Sequence, residues 1–352
     1  MKTIYLVTGA NGHLGSAVCA ALREKGEEVR ALVLPGENTD FIRALGVSVV
    51  FGNVCKKEEL ETFFELEKPA RRIVIHCAGI VDITDGNSER MELVNIGGTK
   101  NVIDMCKKFD VHRFLYVSSV HAIPVPAKGR VIKETTTFSP ETVDGAYAKT
   151  KAAATALVLE SVKDGVPAIV VHPSGIIGPY LGNGNHLVQM VKSYISGKLP
   201  AVVRGGYDFV DVRDCAGGIL SAVKFGQIGE CYILSGDFYE IKEVMDMLQK
   251  IVSGKKPGTV PLWLAKLAAP MLEHHALRRG KRPLFTAYSL STLNVNSRFS
   301  HDKATKELGY TPRELFVTLK DTVQWLVKTG ECRLRAAKNA RYKKLRPSPS
   351  QG

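Results

Sequence analysis

Two apolar periods alternate along the first half of this chain. Short β-rich runs at 3–8, 28–34, 47–51, 72–77, 112–118 and 166–172 are bounded by turn residues and predict strands. The stretches near 14–25, 56–67, 88–108 and 144–164 repeat apolar residues every three to four positions and predict helices. Regular β–α alternation predicts an α/β fold, a Rossmann-type doubly wound parallel sheet with right-handed crossovers. From Gly175 the pattern breaks into Gly/Pro-rich loops and separated helices, predicting a smaller, mostly helical C-terminal substrate domain. Residues 213–225 and 230–234 read as a return to the sheet, so the first domain is discontinuous in sequence. No internal repeat is visible.

The most apolar stretch of the second half is 260–277. It is shorter than a bilayer requires and is interrupted by Lys266 and Pro270, which excludes a transmembrane helix. A packed domain helix is expected; a lid over an apolar substrate and a peripheral membrane contact are the other readings.

Composition changes this picture little: 45% hydrophobic and 24% charged residues describe an ordinary globule. The seven cysteines (19, 55, 77, 106, 215, 231 and 332) show no CxxC or metal spacing. They predict buried thiols in a reducing cytoplasm and no metal site. The first strand begins at residue 3, which leaves no room for a signal peptide. Of the net charge of +13, much lies in 331–352, where seven Lys/Arg face one Glu. That segment ends in Pro and Ser and reads as a solvated basic tail; nucleic acid or an acidic membrane is the other reading, and no nucleic-acid motif accompanies it.

Candidate chemistry starts at the first strand. Gly9-Ala10-Asn11-Gly12-His13-Leu14-Gly15 follows it directly and opens a helix. Strand, glycine turn and helix make a dinucleotide-binding context: the glycines allow a tight turn, backbone approach to a pyrophosphate and close helix–strand packing. The second strand runs into Leu34-Pro35-Gly36-Glu37, with Arg30 inside it. With no Arg at the strand end for a 2′-phosphate, NAD is favoured over NADP.

Tyr147 and Lys151 stand four apart on a predicted helix, so both side chains share one face. A nearby ammonium favours the phenolate and is expected to draw the Tyr147 pKa below its ordinary value, towards general acid/base work. The spacing alone is weak, since it recurs at Tyr194 and Lys198. Strand five ends in Ser118-Ser119, at the carboxyl edge where ligands gather.

Across about residues 3–330 the chain resembles the extended short-chain dehydrogenases/reductases. Gly9-x-x-Gly12-x-x-Gly15 resembles their cofactor fingerprint, His76-Cys77-Ala78-Gly79 their fourth-strand motif, and Asn95-Ile96-Gly97-Gly98-Thr99 their Asn-x-x-Gly-Thr. Ser119, Tyr147 and Lys151 match the family triad, and His172-Pro173-Ser174-Gly175 the loop after strand six. The stretch 303–313 resembles the helical end of the substrate domain. The resemblance implies an NAD(P)-binding domain at 1–180 plus about 206–238, and a substrate-binding portion at about 181–205 plus 239–330. It implies Ser119, Tyr147, Lys151 and Asn95 as catalytic residues. Cofactor contacts would come from Gly9, Asn11, Gly12, His13, Leu14, Gly15, Leu34, Asn53, Val54, Cys77, Ala78, Gly79, Tyr147, Lys151, His172 and Ser174. Ser119, His121 and Tyr207 would face a small-molecule substrate, in a chain that is a candidate homodimer.

Two departures matter. The family's usual Asp after strand three is here Asn53, which still accepts through its amide oxygen, and position 34 is a neutral Leu. Closest in character are the dihydroflavonol-reductase and hydroxysteroid-dehydrogenase members, which interconvert ring ketones and alcohols. Sugar-nucleotide dehydratases carry Asp-Glu after the Ser, where this chain has Val120-His121. Sugar-nucleotide members also place an Arg where Tyr207 stands, although Arg204 lies three residues earlier. A sugar-nucleotide epimerase and a non-catalytic NAD(P)-binding scaffold stay open as alternatives.

Overall fold

The computed structural model describes residues 2–81, 88–126, 129–181, 185–199, 201–254, 256–278, 290, 293 and 296–332. Its centre is a parallel sheet of β1 (Thr3–Thr8), β2 (Glu28–Val33), β3 (Ser48–Phe51), β4 (Arg71–His76), β5 (Arg113–Val117), β6 (Ala168–Pro173) and β10 (Cys231–Leu234). The strand order is β10-β6-β5-β4-β1-β2-β3. Period-two alternation sorts the strand side chains onto two faces. Leu6, Val74, Phe114, Tyr116 and Val170 enter one core, while Val7, Ile75, Leu115, Val117 and Val171 enter the other. Helices cover both faces, as a fully buried parallel sheet requires.

On the first face lie α3 (Lys57–Phe64), α5 (Thr99–Lys108) and α6 (Ala146–Lys163); on the second lie α1 (His13–Glu24), α8 (Val212–Phe225) and α11 (Asp302–Leu308). The expected helix at 88–108 is three pieces: α4 (Ser88–Met91), a π-turn over Glu92–Gly98, and then α5. A short α2 (Asp40–Ala44), unforeseen from the pattern, follows β2. The expected return to the sheet at 230–234 is β10, which lies parallel to β6.

The second half builds its own core. Strands β7 (Gly175–Ile177), β9 (Gly206–Asp211) and β11 (Asp237–Glu240) form a separate small sheet, and β8 (Ala201–Val203) pairs with β12 (Gly258–Val260). Helices α7 (His186–Ile195), α9 (Ile241–Val252) and α12 (Leu315–Lys328) pack around them. Helix α10 (Leu262–Arg278) occupies the stretch expected to be a packed helix; among its described side chains Leu262, Ala265 and Ala269 are packed, while Trp263, Leu264, Leu267 and Met271 are exposed. Of the segment expected as a tail, Glu331 is ion-paired to Lys192 and Cys332 is buried; residues 333–352 lie outside the described residues. Among the described residues no helix is long and apolar enough to cross a membrane, and no His/Cys/Asp/Glu cluster could hold a metal.

This topology positions the site. The chain winds outward from β1 to β2 and β3, then crosses to β4 on the other side of β1. The carboxyl ends of β1 and β4 therefore flank the crevice at the switch point.

Candidate active site

Gly9 follows β1 with a φ of 64°, a left-handed conformation. A Cβ there would also lie 2.6 Å from the Ala78 amide nitrogen, so only glycine satisfies both the turn and the approach of the β4 loop. A Cβ at Gly15 would lie 2.1 Å from the Gly9 carbonyl oxygen, which is the close helix–strand packing expected of the third glycine. Gly12 precedes α1 without a side-chain cap. The first-turn amides and the positive end of the helix dipole are thus left for an anion. Leu14 packs into the second core. The His13 ring accepts from Asn185 Nδ2 at 3.0 Å and faces the Pro179 carbonyl at 2.9 Å, tying α1 to the loop after β7. Burial lowers its pKa, which keeps this bridge neutral.

At the ribose end, Asn11 Nδ2 donates to Glu37 Oε2 at 3.2 Å and to the Asn38 carbonyl at 3.0 Å. Its buried Oδ1 has no hydrogen-bond partner among the described residues. Glu37 thus brings a carboxylate against the glycine loop, a placement the sequence offered without resolving. Leu34 is exposed just beyond β2. Arg30 is turned away, donating to the Glu65 and Thr62 carbonyls at 2.7 and 2.9 Å at the end of α3. Asn53 Oδ1 accepts from the Cys55 amide at 2.9 Å, so the oxygen expected to meet an adenine amino group already closes a turn. Val54 is buried against Gly98, where a Cβ would come within 2.7 Å of its Cγ2.

The triad residues converge. Ser119, in extended backbone, caps a 3-10 turn by accepting from the His121 amide at 3.2 Å. Its hydroxyl is hydrogen-bonded to the Tyr147 phenol. Tyr147 and Lys151 lie one turn apart on the buried face of α6. Lys151 Nζ donates to the Val117 carbonyl at 2.9 Å and lies 3.4 Å from the Tyr116 hydroxyl. Gly79 lies beside it: a Cβ there would be 3.4 Å from Nζ and 3.2 Å from Asn95 Oδ1.

The expected electrostatics are reversed. Burial pushes the Tyr147 phenol up to about 12, against a hydrogen bond from Ser119 that pulls it down. Burial also brings the Lys151 ammonium down to about 8. The ammonium is committed to Val117 and Tyr116, and desolvation is the largest influence on the phenol.

Asn95 sits in the π-turn, a local distortion common at functional sites. It accepts from the Ile80 amide at 2.8 Å and donates to the Ile80 carbonyl at 3.0 Å and to Thr150 Oγ1 at 3.1 Å. It thereby fixes the loop after β4 to the helix that carries Tyr147. Cys77 and Ala78 hold that loop to β1 through backbone donation to Thr8, and burial raises the Cys77 thiol to about 12.

On the other side of the triad stand rings. His121 Nε2 is 2.7 Å from the Tyr207 hydroxyl, and the two rings stack at 5.9 Å with 20° between their planes. The His121 ring also meets Tyr147 edge-on at 5.9 Å, and burial brings its pKa down to about 4. His172 stacks on Phe138 at 5.1 Å, and its Nδ1 is 2.9 Å from the Ser119 carbonyl. Its buried Nε2 has no hydrogen-bond partner among the described residues. Ser174, expected at the cofactor, donates to Asp208 Oδ1 at 2.5 Å, linking β6 to β9. The second Tyr-x-x-x-Lys does not assemble: Tyr194 is buried in the second-half core, and Lys198 falls after α7 has ended.

Sequence reasoning missed Tyr116, Thr150, Phe138 and Asp208. Tyr116 reads as strand core, and the other partners are brought in by the fold over many residues. Thr150, three residues after Tyr147 on the same helix, was the one with a local signal.

The uncapped helix start, the orphaned buried atoms of Asn11 and His172, and the side-chain-free approach at Gly9 and Gly79 fit a dinucleotide. Residues 5–234 match the model of the NAD dependent epimerase/dehydratase family. The chain is 28% identical over 332 residues to "Sterol demethylase protein B" of Methylococcus capsulatus, covering 92% of this chain and 98% of that protein. It is 27% identical over 315 residues to a 4-hydroxy-2-methyl-3-oxo-4-farnesyl-3,4-dihydroquinoline-1-oxide ketoreductase of Stigmatella aurantiaca, covering 87% and 91%. Among solved structures, that of gox2253 superposes with a TM-score of 0.80 at 31% identity, over 94% of this chain and 99% of the other.

Proposed function

This chain belongs to the NAD dependent epimerase/dehydratase family, as an NAD(P)-dependent dehydrogenase/reductase of the extended short-chain type, and we propose that it reduces a ketone on a largely apolar ring substrate. The observation that carries this reading is the wall formed by His121 and Tyr207 beside Tyr147. It is aromatic, and the low pKa of His121 leaves it uncharged at neutral pH. A diphosphate would need a charge-assisted partner there, and the residue in place is a phenol whose hydroxyl is already paired. Arg204, the other candidate cation, is exposed beyond β8. The names of the two relatives, one sterol-linked and one a ketoreductase of a farnesylated ring, support the same substrate class.

Bound NADH or NADPH supplies the hydride. The chain supplies the proton and the orientation. With its pKa near 12, Tyr147 is protonated throughout the neutral range and can donate to a carbonyl oxygen. Ser119, hydrogen-bonded to that phenol, addresses the same oxygen. Lys151 is charged below pH 8 and supports phenolate as it forms. Asn95 positions the helix and the β4 loop against each other. Leu14, Val54 and Ser174 shape the cofactor cleft through packing and hydrogen bonds, and Asn11, Gly79 and His172 offer the direct contacts.

Glu37 beside Asn11 supports NAD over NADP, because a carboxylate repels a 2′-phosphate. Seven free cysteines support a reducing, cytoplasmic setting.

Cofactor absorbance followed across a panel of steroid, flavonoid and simple cyclic ketones tests the reading. UDP-glucose titrated calorimetrically is the counter-test. A micromolar dissociation constant that weakens on Arg204→Ala would establish a sugar-nucleotide enzyme instead.

A further inference from the structure

Helix α10 is built from two unlike faces. Leu262, Ala265 and Ala269 point inward at i, i+3 and i+7 and pack with Val203, Leu290 and Leu293. On the opposite face Trp263 is 65% exposed, Leu264 44%, Leu267 72% and Met271 71%. Trp263, Leu267 and Met271 repeat every four residues, and Leu264 lies beside them, so the four form one stripe roughly 12 Å long. No other stretch among the described residues leaves four large apolar side chains on one helix face to water. Because the inner face is seated, the stripe is held outward.

We propose that α10 is a peripheral docking helix that lays this stripe into the surface of an anionic phospholipid bilayer. Charge selects the occupant. Lys266 is exposed at the flank of the stripe, and Arg278 is exposed on the same side at the helix end. In sequence, Arg278-Arg279-Gly280-Lys281-Arg282 puts four cations in five residues, on a chain of net charge +13. Apolar residues with a tryptophan on one face and cations beside them are the make-up of an interfacial helix. Acidic headgroups add about 1 kcal/mol per basic side chain at the surface, on the scale of about a fivefold gain in affinity each.

A second copy of the chain fits less well. Four side chains supply a few hundred Å² at most, against about 800 Å² per partner in a stable interface. A spanning arrangement is excluded, since α10 is too short and not apolar enough to cross. Its seat also adjoins the site: Leu293 receives the Gly206 amide at the start of β9, next to Tyr207. Docking rests on the stripe and its charge alone, independently of the proposed ketone substrate.

The test is cosedimentation of the full chain with vesicles of phosphatidylcholine containing about 30% phosphatidylglycerol, with Trp263 fluorescence as a second readout. We expect binding at low salt that weakens at least about tenfold in pure phosphatidylcholine or in 0.5 M salt. A blue shift of emission should vanish in Trp263→Phe. Leu267→Glu with Met271→Glu should abolish binding, while turnover of a water-soluble ketone without vesicles stays unchanged. No vesicle binding at low salt, or binding that survives the double substitution, overturns the proposal. Concentration-dependent dimerisation lost on the same substitutions also overturns it and assigns the stripe to a second copy. A chain that binds vesicles yet reduces no ketone leaves docking standing and overturns only the proposed activity.

Discussion

Two Tyr-x-x-x-Lys segments stand in this chain, and only one gathers the other candidate residues around it. Tyr147 and Lys151 share the buried face of α6, with Ser119, Asn95 and Gly79 around them. Tyr194 sits in the second-half core with a buried hydroxyl that has no hydrogen-bond partner among the described residues, and Lys198 lies past the end of α7. The spacing is the same, but the first pair lies in an uninterrupted helix that packs beneath the carboxyl edge of a parallel sheet. The second straddles a helix end, with its tyrosine in the separate core of the second half. What distinguishes the two pairs is therefore where the helix is placed, because only at the first do a serine hydroxyl, an ammonium and the crevice at the strand ends meet.

The sharpest way to break this comparison is Tyr147→Phe. It removes one hydroxyl, so cofactor binding should persist while kcat for ketone reduction falls by ~10²–10⁴. Turnover within threefold of the parent would show that the two tyrosines are equivalent after all. A smaller loss is expected for Lys151→Met, roughly tenfold to a hundredfold, as one charge-assisted contact is removed.

Lys151 also predicts a pH dependence. Rising pH takes its proton near pH 8, so kcat/KM for reduction should decline above about 8, while Tyr147 at about 12 keeps its proton. In Lys151→Arg, which does not titrate in this range, the break near 8 should disappear from the pH profile. A decline centred near 10 in the parent would put the Lys151 ammonium back at its ordinary value and overturn the shift ascribed to burial.

Glu37→Gln tests the cofactor end of the same site. With the carboxylate beside Asn11 neutralised, the preference for NADH over NADPH should shrink by about tenfold, read from the ratio of kcat/KM values. An unchanged ratio would leave Glu37 as a loop brace only. Least of all should change in Tyr194→Phe. Turnover should stay within twofold, and stability should hold or rise by up to ~1 kcal/mol in a denaturant melt, since a buried unpaired hydroxyl is removed. A loss of activity there would dissolve the contrast between the two segments.

Much of the fold was legible locally. The period-two alternation that sends Leu115 to one face and Tyr116 to the other marks β5, and the glycine spacing marks the turn after β1. These signals survive because they depend on neighbours in sequence. The break of the 88–108 helix into a π-turn was not legible, because it is the packing of Asn95 against Ile80 and Thr150 that holds it. The stretch 260–277 was apolar enough to suggest a packed helix, yet sequence could not say which side would stay wet.

By itself, then, the amino-acid sequence determined the order of strands and helices, the glycine turn and the residues able to do acid/base chemistry, since each rests on contacts a few residues apart. Tertiary structure decided the rest. It set Glu37 against Asn11, turned Arg30 away from the cleft, and paired Tyr207 with His121 across 86 residues. It also reversed the expected shift of Tyr147. Desolvation is a property of the whole packed surroundings, and no spacing along the chain records it.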